Sequence, residues 1–249
     1  MHRTRIVIIG ATSAIAEHCA RLWVVESPVD LILVGRDLAK IDLVASDLRV
    51  RSPLSNIKSL HADFVDPVKI QALVDGIVND GEINIALIAH GSLPEQQQCQ
   101  ENLNMCSDAL VVNGVSPVLF AEAFAGHMQK VNAGTLAIIG SVAGDRGRKS
   151  NYVYGAAKGL VTCYAQGLQH RLAKTGVKVV LIKPGPTDTP MTAHLKQQGS
   201  NLANVEDVSK HIVKTISQGK SLVYVPAKWA LIMMIIRHLP VFIFKKMDI

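Results

Sequence analysis

The chain has 249 residues, of which 49% are hydrophobic and 18% charged, with 18 glycines and 10 prolines. This composition excludes a disordered, collagen-like or low-complexity protein, and the length suffices for one α/β domain with a complete core. Lysine and arginine exceed aspartate and glutamate by 26 − 20 = 6, an excess that favours anionic ligands or a lipid surface but is too small to indicate nucleic acid.

Seven apolar segments of strand length alternate with amphipathic segments of helix length. The predicted strands are Arg5–Ile9, Asp30–Val34, Ile57–His61, Ile83–Ile88, Thr135–Ile139, Lys178–Ile182 and Ser221–Val225. The predicted helices lie near Ala14–Val25, Leu38–Val50, Pro67–Asn79, Ala109–Lys130, Tyr152–Lys174 and Val205–Ser217. This alternation predicts a Rossmann-type, doubly wound α/β fold, whose parallel sheet binds its ligand at the carboxyl ends of the strands.

The alternation ends near residue 226. Residues 1–226 are therefore predicted to form a nucleotide-binding catalytic domain, and residues 227–249 a hydrophobic helical C-terminal extension. Strand-like residues begin at Arg5, which leaves no room for a signal peptide. The four cysteines, at positions 19, 99, 106 and 163, form no C-x-x-C motif, and no histidine cluster has metal-ligand spacing. We expect a cytoplasmic protein with reduced thiols and no metal.

The first strand leads into a turn that can hold a dinucleotide. Its residues are Ile9-Gly10-Ala11-Thr12-Ser13-Ala14-Ile15-Ala16. Gly10 supplies the tight bend, and the following helix N-terminus offers free N–H groups to a phosphate. Ala14 and Ala16 stand where glycines are usual, so the turn alone would be equally consistent with an ordinary strand–helix connection. Its place after the first strand favours cofactor binding by Gly10, Thr12, Ser13, Ala14 and Ile15.

The ends of the next two strands indicate the cofactor. The second ends in Gly35-Arg36, where an acidic residue would instead accept a ribose 2′-hydroxyl. Arg36 can pair with a 2′-phosphate, so NADP is favoured and NAD remains possible; the alternative is a solvated arginine that opens a helix. After the third strand, Asp63, followed by Phe64, is placed to meet the adenine, although a turn aspartate is nearly as good an interpretation.

Four polar residues are candidates for catalysis. Tyr154 and Lys158 are spaced i, i+4, on one face of a helix, where the ammonium is expected to lower the pKa of the phenol. Ser141 ends the fifth strand at the ligand edge, and Asn113 lies early in the preceding long helix. A hydroxyl, a phenol, an ammonium and an amide beside a nicotinamide are suited to carbonyl reduction.

The order of these residues resembles the short-chain dehydrogenase/reductase family over essentially the whole chain, through Pro184-Gly185-Pro186-Thr187-Asp188-Thr189. The resemblance implies that Tyr154 is the acid/base and that Lys158 lowers its pKa and holds the nicotinamide ribose. It further implies that Ser141 binds the substrate oxygen and that Asn113 holds a water of a proton relay.

The same resemblance implies further cofactor contacts, from Ala89, His90, Gly91, Pro184, Gly185, Thr187 and Thr189. Two positions depart from the family pattern. The glycine-rich turn carries alanines, and the usual Asn-Asn-Ala-Gly reads Ile88-Ala89-His90-Gly91. His90 could contact a ligand, or it could simply fill space at the strand end.

A narrower resemblance lies in the second half of the chain. The segments that carry it are Ser141–Arg148, Ser150–Gly155, Met191–Lys196 and Met233–Pro240. They are similar to the decaprenylphosphoryl-2-keto-pentose reductases of arabinan synthesis. This similarity implies a substrate in which a polyprenyl phosphate carries a keto-sugar.

The C-terminal segment is apolar with basic flanks. Trp229 to Phe244 is sixteen residues, too short to span a bilayer, and Lys228, Arg237, Lys245 and Lys246 accompany it. It could lie in an anionic membrane surface at the inner face of the cell membrane, or pack on the core or a second subunit. Three cations, Arg146, Arg148 and Lys149, lie between Ser141 and Tyr154 and could bind a substrate phosphate or be ordinary surface charges.

The leading prediction is therefore an NAD(P)H-dependent ketoreductase of a keto-sugar on a polyprenyl phosphate, forming homo-oligomers as the resemblance implies and binding no nucleic acid. An alternative is a soluble reductase of 3-oxoacyl thioesters or other small ketones. A third possibility, suggested by the alanines in the turn, is a cofactor-binding regulator without turnover, although the complete Asn, Ser, Tyr and Lys set argues against it.

Overall fold

The computed structural model describes residues 3–247. Its strands are β1 Thr4–Ile9, β2 Val29–Gly35, β3 Asn56–His61, β4 Ile85–Ile88, β5 Thr135–Ile139, β6 Lys178–Pro184 and β7 Leu222–Val225. They form one parallel sheet in the order β3-β2-β1-β4-β5-β6-β7. The predicted strands and the doubly wound sheet are confirmed, and the strand ends differ from the predicted ones by at most two residues.

The helices are α1 Ala14–Glu26, α2 Leu38–Arg51, α3 Pro67–Asn79, α4 Gln96–Glu101, α5 Leu103–Leu110, α6 Ser116–Val131, α7 Tyr152–Arg171, α8 Ala193–Gln197, α9 Val205–Gln218, α10 Lys228–His238 and α11 Val241–Phe244. The sequence pattern did not predict α4, because its residues, Gln-Gln-Gln-Cys-Gln-Glu, lack an apolar period. The start of α5 was also missed, and there the Asn102 side chain accepts from the N–H groups of Asn104 and Met105.

Two aliphatic cores lie on opposite faces of the sheet. Val7 and Ile9 of β1 pack with Phe120 of α6, whereas Ile6 and Ile8 belong to the core on the other face. This alternation follows from the two-residue period of a strand, since successive side chains point to opposite faces. Both faces are buried, which explains why the strands read as nearly continuous apolar runs.

The segment Leu103–Val131 is long and apolar enough to cross a bilayer by composition, but more than half of its most apolar stretch is buried inside the fold. We therefore interpret this segment as a core helix of the fold. It is also not a uniform α-helix, because a single π-helical turn, Val111–Val115, separates α5 from α6. Asn113 is the middle residue of that turn.

The chain reverses its direction of winding between β1 and β4, which are neighbours in the sheet. Loops from these two strands leave the sheet in opposite directions, so a crevice opens at their carboxyl ends. Gly10 follows β1, and Ala89, His90 and Gly91 follow β4. The predicted cofactor residues are thus at this switch point.

Beyond β7 the described chain forms α10 and α11. One face of α10 packs inward: Met233 is fully buried, and the Trp229 indole lies against Gly185. The other face leaves Met234 and Ile235 more than half exposed. The proposed division at residue 226 stays a prediction, and the last two residues of the 227–249 extension lie outside the described residues.

Candidate active site

A cavity of about 390 Å³ lies at the carboxyl ends of the central strands. Loops after β1, β4, β5 and β6 surround it, together with the N-terminal half of α7. It brings together many of the residues singled out from sequence: Ser13, Ile15, Ala89, His90, Gly91, Ser141, Tyr154, Lys158, Pro184, Gly185, Thr187 and Thr189. Gly10, Thr12, Ala14, Arg36, Asp63, Phe64 and Asn113 do not line it.

Gly10 forms the turn between β1 and α1. Its φ is +86°, in the left-handed region, and a Cβ there would lie 2.6 Å from His90. The N–H groups of Gly10 and Ala11 both donate to the Val34 carbonyl, at 2.8 and 3.0 Å. Glycine is therefore required at position 10 by both conformation and space.

The N-terminus of α1 opens toward the cavity. Ser13 is its N-cap residue, yet the Ser13 side chain makes no capping hydrogen bond. The first N–H groups of a helix have no intrahelical partner, and here no side chain caps them. Thr12 is exposed beside this end, whereas Ala16 is fully buried against the core.

His90 is buried between aromatic rings at the base of the crevice. Its ring packs edge-on against Phe64 and Phe120, at centroid distances of 4.6 and 5.6 Å. Its Nε2 lies 2.8 Å from the Ser116 hydroxyl, and its Nδ1 is buried without a partner. Burial, followed by the charges of Lys158 and Arg36, lowers the pKa of His90 to about 3, so the ring is neutral at physiological pH.

Two predicted cofactor residues lie farther out. The Asp63 carboxylate accepts from the N–H groups of Val65 and Asp66 and pairs with Lys69, and these bonds lower its pKa to about 2. It thus closes the turn after β3. Arg36 is exposed at the end of β2, and its side chain has no hydrogen bond or ion pair within residues 3–247. Phe64 places its side chain in the core.

Tyr154 and Ser141 meet at the cavity. The Ser141 hydroxyl accepts from the Ala143 N–H at 3.1 Å, which leaves its own hydrogen for another partner. Burial raises the pKa of Tyr154, and the hydrogen bond with Ser141 opposes that rise. The expected lowering of the Tyr154 pKa by Lys158 is therefore not what the structure shows, because loss of solvation dominates the shift. Tyr154 is consequently a protonated phenol at neutral pH.

Lys158 is 3% exposed and lies one helical turn after Tyr154. Its ammonium is 5.8 Å from the centre of the Tyr154 ring and donates to the Ile139 carbonyl at 3.1 Å. Burial lowers its pKa to about 8. Its side chain pairs with no carboxylate among the described residues, so the cation remains available to a ligand in the cavity.

Asn113 is completely buried in the π-helical turn. Its side-chain oxygen accepts from the Ser92 N–H at 2.8 Å, and its amide nitrogen donates to the Ala109 carbonyl at 2.9 Å. A Cβ on Gly91 would lie 2.8 Å from the Asn113 oxygen and 3.7 Å from the Lys158 ammonium. Asn113 therefore fixes the loop after β4 directly behind the cavity.

The loop after β6 closes the other side of the cavity. The buried Thr187 hydroxyl donates to the Gly185 carbonyl at 2.9 Å. Thr189 begins a short 3₁₀ turn over Pro190–Thr192, where its hydroxyl lies 3.2 Å from that of Thr192. A Cβ on Gly185 would lie 1.9 Å from the Trp229 indole, so a glycine is needed where α10 covers this loop.

Sequence reasoning missed a buried ionic network beside the site. The Lys183 ammonium binds the Asp145 carboxylate, and both side chains are 2% exposed. The Tyr224 hydroxyl donates to the other Asp145 oxygen at 2.8 Å, and burial raises the Tyr224 pKa to about 12. A lysine inside the apolar strand β6 was the available signal, since a buried charge needs a partner.

The network fixes the turn that follows Ser141. Asp145 ends the 3₁₀ turn Val142–Asp145, which packs on α7 so closely that a Cβ on Gly144 would lie 2.5 Å from the Lys158 backbone. Lys183 and Tyr224 thereby hold the loop after β5 against the helix that carries Tyr154.

Two arginines of the predicted basic loop have different surroundings. The Arg146 guanidinium donates to the carbonyls of Ile236 and Leu239, the latter at 2.7 Å, and lies 3.8 Å from the Phe244 ring centre. Arg146 thus binds the C-terminal helices, which neither of the two alternatives for this loop, a substrate phosphate contact or an ordinary surface charge, had included. Arg148 lines the cavity.

The crevice fits a nicotinamide dinucleotide. Uncapped N–H groups at the start of α1 suit a pyrophosphate, and the close packing at Gly10 leaves no side chain over that end. His90, whose buried Nδ1 has no partner, lines the crevice together with Ser13 and the catalytic residues. The uncompensated Lys158 ammonium at the other end can donate to ribose hydroxyls.

The short chain dehydrogenase family matches residues 4–200, and the chain belongs to this family. It is therefore an oxidoreductase of the nicotinamide-dependent short-chain dehydrogenase/reductase class. An uncharacterised oxidoreductase of Mycobacterium tuberculosis is 28% identical to it over 245 residues, 97% of this chain and 96% of that protein. Another, from Streptomyces coelicolor, is 24% identical over 242 residues, 97% and 95% of the two chains.

Solved structures show the same fold. A short-chain dehydrogenase from Sphingobium yanoikuyae in complex with NADPH has a TM-score of 0.82 and 22% identity, covering 99% of this chain and 96% of its own. A bulky-bulky ketone specific alcohol dehydrogenase from Comamonas testosteroni has a TM-score of 0.80 and 21% identity, covering 100% and 96%. These similarities establish the architecture over the full chain.

Proposed function

We propose that this protein reduces a ketone to a secondary alcohol with NADPH, and that the ketone is a sugar carried by a polyprenyl phosphate. The observation that carries the reductase assignment is the convergence of Tyr154, Ser141 and Lys158 on one cavity. Burial keeps the Tyr154 phenol protonated, and the Lys158 pKa, which burial lowers to about 8, still leaves the ammonium protonated at neutral pH.

A nicotinamide cofactor held in the crevice would supply the hydride that the carbonyl carbon accepts. Ser141 orients the carbonyl oxygen with the hydroxyl hydrogen that its bond from Ala143 leaves free. Tyr154 donates its phenolic proton to that oxygen as the alkoxide develops, which is general acid catalysis. Lys158 stabilises the resulting phenolate by its charge, and Asn113 holds the adjoining loop in place.

Tyr154 must recover a proton after each turnover. The family resemblance assigns this step to Lys158 and a water held near Asn113. A lysine whose pKa is about 8 exchanges protons readily near neutrality, which suits it to such a relay. The Asn113 oxygen retains a lone pair beyond its bond from Ser92.

The preference for NADPH follows from Arg36. Its exposed guanidinium, which has no ion pair within residues 3–247, stands just after β2, where the adenosine ribose lies in this fold. A guanidinium pairs with a dianionic phosphate, whereas NADH offers it only hydroxyls. Gly35 cannot compete for this position because it has no side chain.

The lipid-linked substrate is supported by the surface of the C-terminal helices. We use the term apolar tail face for Leu231, Met234, Ile235, Val241 and Phe242, which are between 54% and 69% exposed. Lys228, Lys245 and Lys246 flank it. An exposed apolar face with basic flanks suits the interface of an anionic membrane, where a polyprenyl phosphate is anchored. We therefore place the enzyme in the cytoplasm, at the inner membrane face.

A substrate panel tests the proposal. NADPH oxidation is followed with a polyprenyl-phosphate keto-pentose, the free keto-pentose, a 3-oxoacyl thioester and a bulky neutral ketone. The lipid-linked sugar is expected to have the highest kcat/KM, and anionic liposomes are expected to bind the protein. Preference for the thioester would establish the soluble alternative, and cofactor binding without turnover would indicate a regulator.

A further inference from the structure

Arg148 differs from the other arginine in its loop. Arg146 satisfies the carbonyls of α10, whereas the Arg148 side chain has no hydrogen bond or ion pair within the described chain, and its Nε is buried. Burial lowers the pKa of Arg148, and Asp145, which opposes this, is already bound by Lys183 and Tyr224. Among residues 3–247, the Arg148 guanidinium therefore has a distant favourable charge, Asp145, but no hydrogen bond or ion pair of its own.

An unpaired, half-buried guanidinium is costly for a folded protein. Removing a charge from water without a partner is unfavourable, so buried charges are normally paired. Arg148 is partly buried and lines the cavity, whereas its neighbours Gly147 and Lys149 are exposed. A ligand oxyanion in that cavity would be its missing partner.

A second unpartnered group lies three residues away. The side-chain oxygen of Asn151 is buried without a hydrogen-bond donor, and Asn151 also lines the cavity. The loop thus presents an unpaired cationic donor and an unpaired acceptor immediately before Tyr154. An oxyanion and a hydroxyl group are the two chemical features that would satisfy them.

We propose that Arg148 is a specificity-determining residue that binds the phosphate group of a phosphorylated hydroxyketone, with Asn151 accepting from a substrate hydroxyl. This inference rests on the proposed function, whose substrate contains both groups. It places the phosphate beside the loop that precedes Tyr154, away from the α1 N-terminus, where the cofactor phosphates are expected. Cofactor and substrate phosphates would therefore have separate cationic partners, Arg36 and Arg148.

Binding of a non-reducible ligand tests this without turnover. Farnesyl phosphate and the neutral farnesol are titrated calorimetrically into the full chain saturated with NADP⁺. Arg148→Gln is expected to weaken farnesyl phosphate about ten- to hundredfold, the range of one charge-assisted contact, with a far smaller effect on farnesol. Arg148→Lys should recover part of the loss, and the remote Arg51→Gln removes the same net charge as a control.

A kinetic arm identifies the source of the anion. Ribulose 5-phosphate and ribulose are compared as substrates, with inorganic phosphate as an inhibitor of ribulose reduction. We expect Arg148→Gln to lower kcat/KM for the phosphate ester at least tenfold more than for ribulose. Inhibition by inorganic phosphate that Arg148→Gln relieves would show that free phosphate also reaches the site.

Equal affinity of wild type and Arg148→Gln for farnesyl phosphate would overturn the inference, as would a wild type that binds neither phosphate ligand. Thermal melting checks that each variant folds. If the protein binds farnesyl phosphate through Arg148 but reduces no ketone, the reductase proposal fails while the oxyanion site stands. If it reduces only neutral ketones, and Arg148→Gln does so equally well, the oxyanion site fails while the reductase stands.

Discussion

The buried residues at the floor of the active site and the C-terminal helices meet at Gly185. The two regions differ in how completely the fold covers their side chains. In the floor, the Asn113 side chain is fully buried and bonds to the chain's own backbone. In the C-terminal helices, Trp229 and Met233 pack inward, but Met234 and Phe242 are left more than half exposed. The Asn113 side chain is satisfied by hydrogen bonds within the fold, whereas the C-terminal helices present a surface that nothing in the described chain covers.

This difference in burial matches two different requirements, one for catalysis and one for recognition of a membrane or lipid. A general acid needs a fixed position, which burial and internal hydrogen bonds supply. Contact with a membrane or a lipid chain needs accessible apolar area, which a finished core would remove. Arg146 joins the two regions, because it belongs to the loop after Ser141 and holds the carbonyls at the end of α10.

Removing the phenolic hydroxyl of Tyr154, at the floor of the active site, should have the largest effect on activity. Tyr154→Phe keeps the ring, so cofactor binding should survive, but the proton donor is lost. We expect kcat to fall about 10²- to 10⁴-fold. Stopped-flow or steady-state NADPH oxidation measures the rate, and fluorescence titration measures cofactor affinity. A variant with nearly normal kcat would show that Tyr154 is not the acid.

Raising the pH should discharge Lys158. Its folded pKa, about 8, lies below the unfolded value near 10.5, so the unfolded chain binds more protons between these values and stability rises with pH there. Activity should move the opposite way, falling about tenfold per pH unit above 8 as the ammonium is lost.

Two measurements check this divergence. The pH profile of kcat/KM reports the loss of the cation, and urea unfolding at pH 7 and pH 9.5 reports stability. Lys158→Met should abolish activity and show less gain in stability over that interval. A rate that stays constant to pH 10 would contradict a functional role for the charge.

A substitution at the outer end of the crevice, where Arg36 lies, should have a smaller effect, and that effect should be on cofactor affinity. Arg36→Ala is expected to weaken NADPH about five- to tenfold and NADH little, because an exposed guanidinium contributes less than a buried one. Titration of both cofactors against both proteins measures the ratio. Equal losses would show that Arg36 does not contact the 2′-phosphate.

Removing the Arg146 side chain should loosen the C-terminal helices, and this is the smallest of the expected effects. Arg146→Ala removes hydrogen bonds to the end of α10 and the contact with Phe244. We expect faster amide exchange in α10 and α11, by about five- to tenfold, at nearly unchanged exchange in β1 and β4. Deletion of residues 227–249 extends the test, and it should abolish liposome binding. Liposome binding that survives the deletion would exclude the apolar tail face.

Much of the fold was predictable because its signals are local. Apolar runs such as Val179–Ile182 identify strands, and Pro67 at the first helical position marks the start of α3. The catalytic candidates were also found in sequence, because their spacing along the strands and α7 places them at one sheet edge. Their roles stay proposals.

What sequence could not provide depends on long-range contacts. Nothing local pairs Asp145 with Lys183, 38 residues later, or Arg146 with the end of α10, some 90 residues later. The predicted direction of the Tyr154 pKa shift was wrong for the same reason, since the shift is dominated by burial, which the whole fold determines. Neighbouring arginines in one loop likewise have contrasting environments that their sequence does not distinguish.

The π-helical turn at Val111–Val115 makes chain length a determinant of the site. It accommodates one more residue than an α-helical turn, and Asn113 reaches both Ser92 and Ala109 because of that register. Deleting Val112 would let the segment close as a regular α-helix, and because the π-turn takes up its extra residue within about one turn, α5 and α6 would keep nearly the same relative rotation. The helix would become more regular while Asn113 lost the Ala109 carbonyl. Relatives of this protein can therefore be sorted by counting residues between β4 and α6, independently of which residues they are.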